Sequence, residues 1–104
     1  MKLSDAKLNR LIEEATVDAY SESEERVGFL TMIDDNLALP FATQILGIEV
    51  SVERIDMSAA DVIVAICRRG RTRQAILILE LPLPRPAPRG AEWIEAYRHW
   101  VGGR

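Results

Sequence analysis

Apolar residues fall at Leu8, Leu11, Ile12, Ala15 and Ala19, one stripe at helical spacing. They predict a first helix over residues 5–20. Ser4 is suited to cap its free N–H groups, and Leu3 and Leu8 occupy the positions of a hydrophobic staple. The stripe breaks at residues 21–24 (SESE), where Ser21 and Glu24 have capping-box spacing. A second helix follows to about residue 37, the alternative being one bent helix, with Val27, Leu30, Ile33 and Leu37 facing inward. Gly28 inside it costs roughly 1 kcal/mol against Ala, which a close approach by another backbone element would explain.

Pro40 ends the helical pattern, because the residue before a proline avoids the α region. From Ala42 onward β-branched residues alternate with polar ones, and Gly47 predicts a bulge or sharp bend that splits or curls this long strand. Residues 57–61 read as a loop. Two further apolar runs, 61–67 and 74–79, flank Arg68-Arg69-Gly70-Arg71-Thr72-Arg73, which reads as a hairpin turning at its glycine. The proline-rich stretch 80–89 predicts an extended crossover, with a recognition ligand as the other reading of its PxxP spacing. A last helix over residues 91–101 presents Trp93, Ile94, Tyr97, Trp100 and Val101. The fold class is therefore α+β: two N-terminal helices, a curled antiparallel sheet closing into an SH3-like small barrel, and a C-terminal helix, in a single domain over 1–104.

Composition narrows the function. Of 104 residues 48% are hydrophobic, enough for a packed core. No apolar run reaches membrane-spanning length and the N-terminus lacks a secretory h-region, so a cytoplasmic protein is expected. The net charge of −3 conceals a division. Residues 1–61 hold 5 Lys and Arg against 13 Asp and Glu, and residues 62–104 hold 8 Arg against 3 Glu.

Catalytic patterns are missing. Cys67 is the lone cysteine and reads as an inert core thiol, the alternative being activation by Arg68 and Arg69. His99 reads as a surface residue of the last helix. No nucleophile-and-base pair, phosphate loop or zinc motif occurs, so an enzyme is not expected. The informative acids are Asp34 and Asp35, adjacent at the end of the second helix, where its dipole disfavours negative charge. Such a conflict is relieved by a neighbouring arginine, by plain solvent or by a bound metal. Ca²⁺ takes six to eight oxygens from carboxylates, backbone carbonyls and waters; Asp34, Asp35 and Asn36 offer side-chain oxygens toward that number, with Glu24 and Glu25 on the same face or at a second site. The sequence after Asp34 does not follow the EF-hand loop. A different reading takes Arg68, Arg69, Arg71 and Arg73 as an SH3-like interaction surface for an acidic protein partner; nucleic acid is disfavoured because no aromatic residue interleaves them.

The chain also resembles the cyanobacterial-type calcium-binding protein family, small non-EF-hand proteins. The matching stretches are residues 17–20 (VDAY), the acids of 22–25, Gly28-Phe29, Ile33-Asp34-Asp35, residues 39–41 (LPF), residues 65–67 (AIC) with the Arg-Gly hairpin, and residues 96–100 (AYRHW). The resemblance implies a Ca²⁺ buffer or sensor with surface sites built from clustered acids. It is carried onto Asp34 and Asp35, and more weakly onto Asn36, Glu24 and Glu25.

Overall fold

A computed structural model of the chain describes residues 2–103. The elements run α1 (Asp5–Ala15), α2 (Glu22–Asn36), β1 (Phe41–Ile45), β2 (Ile48–Met57), β3 (Ile63–Arg69), β4 (Thr72–Leu77), a 3-10 turn (Ile78–Glu80) and α3 (Glu92–Gly102). The strands form one antiparallel sheet in the order β1-β2-β3-β4. The architecture is α+β.

The sheet stays open, contrary to the expected barrel closure. Strands β1 and β4 lie at its two ends and do not pair with each other. The chain leaving β4 turns through the 3-10 segment, and the Thr43 hydroxyl of β1 donates to Pro82 O at 2.6 Å. Prolines 82, 84, 86 and 88 carry no N–H, so this segment is a poor ladder partner for β1.

Helix α1 stops at Ala15 rather than near residue 20. The Thr16 hydroxyl donates to Ile12 O at 2.8 Å, and Asp18 adopts a left-handed φ of 62°, which no helix continues through. Ser4 caps α1 by accepting from Lys7 N–H, and Ser21 caps α2 by accepting from Glu24 N–H, each at 3.1 Å. An alanine Cβ at Gly28 would lie 1.9 Å from Ala15 O, so this glycine is where α1 and α2 touch backbone to backbone. That contact sets the rotation of α2. Phe29 and Ile33 become fully buried, while Val27, expected inside, is 49% exposed.

The predicted bend at Gly47 is a two-residue hairpin between separate strands. Leu46 and Gly47 both have positive φ (51° and 77°), as a tight antiparallel turn requires. The bulge lies instead at Glu53, where the register shifts between Val52 and Arg54. Strands β3 and β4 meet at a two-residue Gly70-Arg71 turn, with Arg69 opposite Thr72.

One continuous core takes Leu11 from α1, Phe29 and Ile33 from α2, Val52, Ile55, Ile63 and Ala65 from the sheet, and Trp93, Ile94 and Tyr97 from α3. Phe29 lies 5.3 Å from Tyr97 and 5.2 Å from Trp100 between ring centroids, joining α2 to α3. Val101, expected on the apolar face of α3, is exposed.

Candidate metal centre

Many of the acids are engaged within the protein. Arg26 donates to Asp61 at 3.0 Å and to Glu22 at 3.2 Å, and its guanidinium lies 5.7 Å from the Trp100 ring centre. Ser23 adds a bond to Asp61 at 3.3 Å, so the loop before β3 is tied to α2. Glu53 accepts from Arg68 and from Arg73, which holds its carboxyl below the usual carboxylate range; the Arg68 hydrogen bond is the larger cause. Arg98 lies 3.7 Å from Glu95. Glu24 Oε1 accepts from Tyr20 N–H at 3.1 Å, tying the start of α2 to the residue before its N-cap.

Asp34 and Asp35 lack such partners. Both are exposed in the last turn of α2, which contains no basic residue, and neither carboxylate forms an ion pair among the described residues. The arginine that would have resolved the conflict with the helix dipole is not paired there. Asn36 Nδ2 donates to Met32 O at 2.7 Å, which leaves the amide oxygen as its open donor toward a cation.

The helix end is shaped by the segment before α3. Ala38 N–H, which would have continued the helix onto Asp34 O, donates instead to Arg89 O at 2.8 Å. The last carbonyls of α2 therefore lose helical donors. Gly90, at φ 92°, seats directly on this end: a Cβ there would lie 2.2 Å from Asn36 O. Carboxylate and amide oxygens are hard donors, of the kind Ca²⁺ takes and zinc and copper sites seldom use alone.

The structure does not bring all the predicted residues together. Glu24 and Glu25 lie about ten residues earlier on the same helix, roughly 15 Å along its axis. They do not share an ion with Asp34 and Asp35. Among the described residues, no group of three or more Asp, Glu, His or Cys side chains is gathered in a form that could hold a metal.

Two features were passed over in the sequence. Glu13 and Glu14 repeat the adjacent-acid pattern in the last turn of α1, which also lacks a basic residue. Asp18, Ser23 and Glu24 line a shallow hollow between α1 and α2. The helix actually ending at Ala15 is what exposes both, and the unbroken stripe through Ala19 concealed that ending.

Cys67 is 4% exposed, and burial pushes its thiol pKa up, the reverse of activation by the neighbouring arginines. Among the described residues no helix is long and apolar enough to cross a membrane.

A small α+β scaffold with unpaired oxygen donors at a helix end defines a candidate cation-binding protein. The chain belongs to the CcbP family, described as calcium binding, whose model matches residues 9–101. No curated protein and no solved structure matches it.

Proposed function

We propose that this protein binds Ca²⁺ at the C-terminal end of α2, as a non-EF-hand buffer or sensor acting as one domain. The observation that carries the reading is the pair Asp34 and Asp35: adjacent, exposed and without an ion-pair partner among the described residues, at the negative end of a helix. Membership of a calcium-binding family supports it. Asp34, Asp35 and the Asn36 amide oxygen would hold the ion, with water completing a shell of six to eight oxygens. Glu24 and Glu25, at the other end of α2, belong to a separate and weaker site.

A donor set with two carboxylates and several waters sits at the weak end of calcium sites, about 10 µM to 1 mM in dissociation constant. Titration calorimetry tests this. Wild-type protein gives a saturable heat with Ca²⁺, and Asp34→Asn with Asp35→Asn abolishes it, or leaves only the weaker component. Mg²⁺ competes poorly, because it demands near-octahedral geometry and dehydrates reluctantly. A wild-type titration without heat, and without a change in Tm at millimolar Ca²⁺, would sink the proposal.

A further inference from the structure

Away from the helices, the core-facing side of the sheet runs out past its cover. Along β2 this face carries Val52, fully buried, then Val50, half-buried, then Ile48, 44% exposed. Beyond it Leu46, held at positive φ in the turn, is 96% exposed. Turns of this type favour Asn or Gly at that position, and a leucine gains nothing there from local conformation. Ile45, Ile48, Val50 and Ile76 wall a cleft of about 600 Å³, which Leu46 and Arg69 also line. That volume and mostly apolar lining match those of binding clefts.

Charge and backbone say what fits. Of the four hairpin arginines, Arg68 and Arg73 are bonded to Glu53. Arg69 and Arg71 are exposed and carry no ion pair among the described residues. Strand β4, whose Thr72, Gln74 and Ile76 line the cleft, is the last strand of the sheet, so one side of its backbone is unpaired. An extended chain added there would place alternate side chains into the cleft. A second copy of this protein, docked face to face, would bring two arginine rims together.

We propose that the cleft between the Leu46 and Gly70 turns is a docking site for an extended acidic peptide of a partner protein. Its apolar residues, at alternate positions, fill the cleft, and its carboxylates meet Arg69 and Arg71. The site is independent of the calcium reading.

The test is fluorescence anisotropy in EDTA with a labelled octapeptide alternating Val and Glu, against the same peptide with Lys for Glu. The acidic peptide is expected to bind in the micromolar to sub-millimolar range, and the basic one at least about tenfold more weakly. Arg69→Glu is expected to weaken the acidic peptide about tenfold, while Arg10→Glu on α1 leaves it unchanged. Ile48→Asp is expected to abolish binding; should that variant not fold, Leu46→Asp, at a fully exposed position, serves instead. Equal binding of the two peptides, no binding of either, or indifference to Arg69→Glu would overturn the proposal. So would a wild-type dimer in sedimentation that Leu46→Asp dissociates, since the cleft's occupant would then be a second copy.

Discussion

Glu53 occupies the bulge between Val52 and Arg54, and its two carboxylate oxygens accept from different guanidinium groups. Its carboxyl is held below the usual range by Arg68 first and Arg73 second. A carboxylate depressed in the folded state adds stability that is present above its unfolded pKa of about 4.3 and is lost as pH falls through the folded value. The melting temperature of the wild type should therefore fall more steeply than that of Glu53→Gln between about pH 5 and pH 3. Parallel curves would show that the bidentate contact carries no linkage. The same residue explains a gap in the sequence reading. The four arginines looked equivalent in the chain, and only the bulge reveals that two of them are already neutralised.

At the scale of elements, what could be read was local. Ser4 and Ser21 announce their helices because a hydroxyl in that position satisfies N–H groups that have no partner within the helix. The close approach expected at Gly28 is found against Ala15 O. The errors came where a tertiary contact decided the outcome. The rotation of α2, which buries Phe29 and exposes Val27, follows from that inter-helix contact, and the stripe alone does not contain it. The break at Gly47 was legible, but not that it is a two-residue hairpin, because the turn's first residue is a leucine where turn chemistry leads one to look for asparagine. Gly28 also yields a prediction whose sign is informative. On helix propensity alone Gly28→Ala should stabilise by roughly 1 kcal/mol. Its Cβ would meet a backbone carbonyl that cannot step aside, and forced overpacking of this kind costs about 1–3 kcal/mol. Net destabilisation in urea unfolding is expected; a more stable variant would mean that the helices do not touch there.

Over the whole molecule, charge separates along the chain, with the first 61 residues acidic and the remainder basic. The fold consumes part of each set: Arg26 takes Glu22 and Asp61, and Glu53 takes Arg68 and Arg73. Among the described residues, the charges left without an ion pair include Glu13, Glu14, Asp34 and Asp35 at the helix ends and Arg69 and Arg71 at the β3–β4 turn. The order of helices and strands was legible because hydrophobic period reports elements. Which acids stay free was not, because pairing across the chain joins residues as far apart as Arg26 and Asp61. The calcium position proposed above is the end of α2, where Gly90 and Arg89 close on the terminal backbone. The most direct test is an amide nitrogen–proton NMR titration of the wild-type protein with Ca²⁺. The account predicts saturable shifts centred on Asp34, Asp35, Asn36 and Ala38 and reaching Gly90, all lost in Asp34→Asn with Asp35→Asn. Shifts confined to Glu13, Glu14 or Asp18, or no shifts at all, would contradict it.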